Sequence, residues 1–294
     1  LKELTYQYLR LAHPKLREKV GDSLSSDTSL NREDSFLKNY KHSSQKGYQT
    51  KRAYLLKGEK LPPGEFGVMH GYMKIPELKK VCHAYGVSIN EYLVAVYVWS
   101  VYTECMHGMP SERPVRVAVP VNLRPYFNSI TTKNFFVMVS AEFHPTKEIY
   151  TFEEVLSVSE SLRSQISREN LEKLFSYNVS NEKLLAARIV PLFLKNLAMR
   201  YVYTTSALAN TATVTNIGNI SVSEEYRPYV EMFHAFLAMS KGQHLKGTIC
   251  SYGDTLVFSF SYDLTDTSVQ RGFFRKIAAD GIAVEIETNG VNYE

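Results

Sequence analysis

The stretch VRVAVPVNLRPYFNSITTKNFFVMVSAEF, Val115 to Phe143, decides how the rest of the chain is read. Val115, Val117, Val119 and Val121 alternate with Arg116, Ala118 and Pro120, the two-residue period of a strand with one buried face. Phe135 to Phe143 is apolar at nearly every position, the pattern of a strand covered on both faces. Between them lie Asn122-Leu123-Arg124-Pro125, a polar bend from Asn128 to Lys133, and Asn134. Pro125 fixes the turn after Arg124. Arg124 is then either a positioned charge at the end of a buried strand or a surface residue closing an ordinary hairpin.

Upstream, Phe66 to Met73 reads as a strand and Pro76 to Tyr85 as a short helix, with Pro76 in its first turn and Gly86 at its end. Ser88-Ile-Asn-Glu91 is a capping box opening a helix that runs to about His107. That helix carries Tyr92, Ala95, Val96, Trp99 and Tyr102 on one face. Downstream, Thr151-Phe-Glu-Glu154 is a second capping box. Leu184 to Tyr203 reads as an apolar helix bent near Pro191. Asn210 to Val222 returns to a strand pattern with Gly218 in its middle, the mark of a bulge or of a close approach. Met232 to Met239, Thr248 to Cys250 and Leu256 to Tyr262 read as strands, and Asp266 as the cap of a closing helix ended by Gly281. Helices alternating with strands predict a layered α/β or α+β domain.

Composition narrows the function classes. A formal charge of +4, with no basic stripe interleaved with aromatics, does not point to nucleic acid. Cys82, Cys105 and Cys250 are isolated and odd in number, which reads as free thiols in a reducing, cytoplasmic compartment. No apolar run is long enough to span a bilayer, and the histidines show no metal-ligand spacing. No glycine-rich phosphate loop precedes a helix. Leu1, Leu4, Tyr8 and Leu11 are already at helical spacing, with no capping residue before them. The chain therefore reads as a piece of a longer one. Lys15 to Pro63 is a polar crossover, so the expected division is residues 1–63, the end of an N-terminal unit with a helix over 1–13, and 64–294, a C-terminal unit.

Four places resemble the chloramphenicol acetyltransferase-like superfamily, the group of condensation domains and alcohol acetyltransferases. They are PVNLRP (Pro120 to Pro125) followed by NFF (Asn134 to Phe136), VTNIG (Val214 to Gly218), SYGDTLVFSFSYD (Ser251 to Asp263) with its following RGFF helix, and YGVSINEYL (Tyr85 to Leu93). In this order they cover Phe66 to about Gly281. The resemblance implies a mixed sheet flanked by helices. The superfamily's two histidines, three residues, aspartate and glycine are absent; His144-Pro-Thr-Lys-Glu148 comes nearest, with one His, a Glu and no Gly.

The resemblance also implies direct acyl transfer, from an acyl-CoA or the phosphopantetheine thioester of an acyl carrier protein to a small alcohol or amine. The catalytic histidine is then expected upstream of Leu1, and these residues alone are expected to be inactive. Arg124, with Asn122, falls where relatives keep a structural Arg. Thr215, Asn216 and Gly218 fall on the strand facing the histidine, where the Thr215 hydroxyl could donate to an oxyanion. Asn134, Ser259, Ser261 and Tyr262 are candidates for the substrate tunnel, or a strand cap and outward-facing residues. The alternative function is a non-catalytic binding or docking module of the same fold.

Overall fold

A computed structural model describes residues 8, 9, 11, 12, 32–42, 51–183 and 190–290. A mixed sheet of seven strands, ordered β3-β2-β4-β5-β6-β1-β7, is flanked by helices, an α/β architecture. The strands are β1 Gly67–Lys74, β2 Val115–Asn122, β3 Phe136–Phe143, β4 Ala212–Asn219, β5 Leu245–Tyr252, β6 Thr255–Tyr262 and β7 Val284–Thr288. β4 lies parallel to both β2 and β5, and the other neighbours are antiparallel.

The helices are α1 Ser35–Lys38, α2 Ile75–Tyr85, α3 Ile89–Ser100, α4 Arg124–Phe127, α5 Phe152–Leu156, α6 Val158–Gln165, α7 Arg168–Lys183, α8 Leu192–Leu208 and α9 Ser268–Ala279. Both capping boxes form with their reciprocal bonds, at Ser88/Glu91 and Thr151/Glu154. Each satisfies two amides that the first helical turn would otherwise leave open. α3 is buried on all sides rather than along one stripe: Tyr92 through Val98 are each 0% exposed. A helix apolar all round belongs in a core, and α3 fills the space between the sheet and α5, α6 and α9. It ends in a π-helical turn over Val101–Cys105 rather than continuing to His107.

The two sheet faces differ in chemistry. Val117, Val119, Val139, Val214, Ile249, Phe258 and Phe260 point into the main core with α3. Glycine is required there at Gly71, where a Cβ would lie 2.1 Å from the Phe274 ring. On the other face a smaller cluster of Ile220, Val222, Tyr226, Phe233, Cys250 and Val257 also takes in Leu9 from the first helical segment. The rest of that second face is polar on β4, β5 and β6, while β3 adds the exposed Phe136 and Met138. Residues 51–63 lie against the sheet unit: Ala53 N–H donates to Leu208, Tyr54 to Pro114 and Leu61 to Asp263.

Four expectations need correction. β3 is covered on one face only, with Phe136 45% and Met138 40% exposed. Met232 to Met239 forms no strand. Its carbonyls are taken by side chains of β5 and β6 instead: Phe233 by Cys250 Sγ, Leu237 by Ser261 Oγ and Ala238 by Lys246 Nζ. The cap of α9 is Thr267, although Asp266 accepts from Ser268 N–H one position away. α8 runs from Leu192 to Leu208, past Tyr203, with Pro191 at its cap; residues 184–189, and with them the expected bend, lie outside the described residues. β7, an exposed edge strand of alternating Glu, was not predicted at all.

Candidate active site

β2 and β4 run side by side for only two pairs, Val117 with Ala212 and Ala118 with Thr213. Beyond them β2 continues to Asn122 and β4 to Asn219, each without the other. The sheet therefore opens into a cleft between two parallel strands. β4 also breaks register against β5 between Asn216 and Gly218. Gly218 has φ +85°, and its N–H donates to Asn216 Oδ1 at 2.8 Å, an Asx-type closure. A Cβ on Gly218 would meet nothing within 4 Å. The glycine is thus needed for its backbone angle, and the bulge, not a close approach, explains it. Before the bulge Thr215 is half-buried on the face it shares with Thr248, and Asn216 is exposed on the opposite face, where its amide donates to Asn90 Oδ1 at 3.5 Å.

A clamp closes the root of this cleft. Arg116, 1% exposed, stands one residue before the first β2–β4 pair. Its backbone exchanges bonds with Thr211: the amide donates to Thr211 Oγ1, and the carbonyl accepts from Thr211 N–H. Its guanidinium donates twice to Glu142, directly opposite on β3, at 2.9 and 2.8 Å. Its Nη1 donates to the carbonyls of Lys51 and Ala209. Burial pushes the Glu142 carboxyl up, but the bonds and charge of Arg116, with His144, outweigh it and hold the group below its usual value. Sequence alternation placed Arg116 on a polar face and gave no sign that it is buried.

Arg124 and Asn122 form a second, smaller brace. Arg124 Nε donates to Thr131 O at 2.8 Å, Nη2 to Lys133 O at 2.7 Å and Nη1 to Asn122 Oδ1 at 3.1 Å. The three donors tie the polar joint between β2 and β3 to itself. Asn134 is exposed just before β3.

Ser259, Ser261 and Tyr262 do not share one surface. Tyr262 is 1% exposed in the main core, and a Cβ on Gly67 would lie 2.0 Å from its ring. Ser259 and Ser261 point to the opposite, polar face. There a row crosses the sheet in register: Thr215, Thr248, Ser259, His70 and Glu287. Among the described residues Thr248 Oγ1 is buried without a hydrogen-bond partner. His70 Nδ1 lies 2.7 Å from Ser259 Oγ, and its ring stacks on His234 at 4.5 Å. Burial first, and His234 second, draw the His70 imidazole below its usual range against the pull of Glu287. His70 and His234, read as ordinary histidines from sequence, meet only because β1 is the sixth strand of the sheet.

Next to the cleft the polar face carries a cavity of about 1130 Å³. Its lining runs from Phe136 and Met138 on β3, through Ala118 on β2 and Thr213 on β4, to Lys246 on β5, with α7 and α8 over it.

No family model matches the sequence, and no curated protein does. Solved structures do. TRI101 from F. sporotrichioides, determined with coenzyme A and T-2, matches 82% of this chain at TM-score 0.51 and 11% identity. The alpha-methyl-L-serine-AMP-bound form of the nonribosomal peptide synthetase FmoA3 matches 77% at TM-score 0.50 and 17% identity. The fold is that of the chloramphenicol acetyltransferase-like condensation and acyltransferase proteins. The chain spans 56% of the first of these proteins and 24% of the second. At such identities the likeness reaches the architecture and stops short of side chains. Among the described residues no helix is long and apolar enough to cross a membrane.

Proposed function

We propose that this chain forms one wall of an acyl-transfer site, in which an acyl group passes from a thioester to an alcohol or amine. The thioester is that of coenzyme A or of a carrier protein's phosphopantetheine. The observation that carries the reading is the parting of β2 from β4, with Thr215 and Asn216 on the freed part of β4. A gap between parallel strands exposes side chains from inside a sheet without exposing the core. Acyl transfer needs such a place, because the developing oxyanion must meet fixed donors away from bulk water.

The acceptor hydroxyl or amine attacks the thioester carbonyl while a base removes its proton. The carbonyl oxygen becomes an oxyanion, with Thr215 Oγ1 as a hydroxyl donor toward it. Collapse expels the thiolate, which takes the proton back from the base. The base in this reading is a histidine of a His-His-x-x-x-Asp-Gly segment, which these residues do not contain. Asn216 and Gly218 fix the bulge that orients Thr215, and Arg116, Arg124 and Asn122 hold the β2 side of the cleft.

The test is thiol release from an acyl-CoA by the protein at its natural length, with and without acceptor. Thr215→Val should lower kcat about 10²-fold with KM nearly unchanged, the size of a lost oxyanion donor. Thioester binding without acceptor-dependent turnover would instead make the chain a binding module. A Thr215→Val variant as fast as wild type would remove Thr215 from the reaction.

A further inference from the structure

We propose that the cavity on the polar face of the sheet binds an organic carboxylate with an apolar body, and that Lys246 holds its carboxylate. As an account of what the ligand is for, this rests on the acyl-transfer reading; as a binding site it stands on the side chains alone.

Lys246 is 8% exposed and is the one cation among the described residues that line the cavity. Its ammonium donates to the neutral carbonyl of Ala238 at 2.7 Å, and no carboxylate among the described residues pairs with it. Burial draws its pKa down. A buried cation held only by a neutral carbonyl is costly, and proteins keep such groups paired or use them. The two acids in the lining are already engaged. Glu142 is taken by Arg116, and Asp34 accepts from Phe36 and Leu37 N–H as the cap of α1. The charge left to answer is positive.

The surroundings of Lys246 suit an oxyanion. Thr213 and Lys246 each stand one residue before the first β4–β5 pair, Val214 with Gly247, and the Thr213 hydroxyl donates to Gln243 Oε1 at 2.9 Å, which turns the Gln243 amide in a set direction. Away from this group the lining is apolar, with Phe136, Met138, Leu174, Val179, Met199 and Val202. From β3 to β5 the cavity crosses three strand spacings, about 14 Å at about 4.8 Å each. The geometry therefore has a charged end and an apolar run, the shape of a medium-chain acid.

Calorimetric titration of the full chain with decanoate, decan-1-ol and decyltrimethylammonium at pH 7 tests this. Decanoate should bind at least tenfold more tightly than decan-1-ol, and decyltrimethylammonium more weakly than either. Lys246→Met should bring decanoate down to the level of the alcohol, while Lys246→Arg should keep most of the preference. Equal binding of acid and alcohol by the wild-type protein overturns the proposal, and that comparison needs no variant to fold. A preference that survives in Lys246→Met overturns it too. Titration reads no turnover, so a chain that fails to transfer acyl groups can still meet every expectation here. Conversely, equal binding would leave acyl transfer at the cleft untouched.

Discussion

Arg116 offers the sharpest test of how the cleft is held. Arg116→Met removes a guanidinium whose side chain is 2% exposed and leaves Glu142, 25% exposed, facing a thioether. Glu142 keeps His144 Nε2 at 2.8 Å and some water, so the loss belongs near the lower end of the 3–5 kcal/mol range for a broken buried pair, about 3 kcal/mol. The carbonyls of Lys51 and Ala209 lose their donors as well, adding about 1 kcal/mol or more between them. The expected total is about 4 kcal/mol. Glu142→Gln keeps a neutral acceptor beside the guanidinium but strands its charge, costing about 3 kcal/mol. The double change Arg116→Met with Glu142→Leu removes both charges and leaves only the two carbonyls unserved, so it should cost no more than either single change.

Urea titrations followed through the fluorescence of the single tryptophan, Trp99, measure all three. Trp99 packs against Tyr102 and Phe152 and reports on the core beside the sheet. With a slope of about 3 kcal/mol per M, Arg116→Met should lower the midpoint by more than 1 M. Single changes worth less than about 1 kcal/mol, or a double change equal to their sum, would refute the clamp. The pair would then be an ordinary exposed contact.

Other outcomes follow from the same contacts. Gly71→Ala drives a methyl into the Phe274 ring at 2.1 Å and should destabilise the protein by about 1–3 kcal/mol, read as a lower urea midpoint. Gly218→Ala meets no atom but must hold φ +85°, so it should cost about 1–2 kcal/mol in the same titration and lower acyl transfer by disturbing the bulge. Because the folded state holds Glu142 below its ordinary value of 4.5, its contribution is complete above that pH and is lost as pH falls through the lower folded value. Acid titrations of stability should therefore be steeper for wild type than for Glu142→Gln between about pH 5 and 3.

What the sequence shows and hides has physical reasons. The capping boxes at Ser88 and Thr151 are legible because both partners lie within four residues of each other. The alternation in β2 and the run in β6 are legible because one face of each meets a core. Arg116 was hidden because its burial depends on Glu142, 26 residues away, and on a hairpin register that pairs Val115 with Phe143. Once that register is known, the opposed Arg and Glu can be read directly. Met232 to Met239 misled because its apolar residues suit a strand, while its carbonyls are bonded by a thiol, a hydroxyl and an ammonium. The His70–His234 stack, likewise, needs the order of the strands before any spacing has meaning.

The division of labour between the two sheet faces explains why site and cavity lie on the same side. A sheet buried on both faces by apolar packing leaves no surface for a ligand except at its ends. Here α3 and α9 supply one face with nearly the whole core, so the opposite face can carry Thr215, Thr248, Ser259 and Lys246 at positions that a second apolar layer would forbid. Lys246, and Ser261 two residues beyond Ser259, are met by an irregular segment, not by another strand, because only an irregular backbone can turn its carbonyls down onto side chains. A β-ladder would spend those carbonyls on its neighbour. The irregular cover and the splayed strands are thus two consequences of one requirement, a sheet face that stays polar while remaining close to dry.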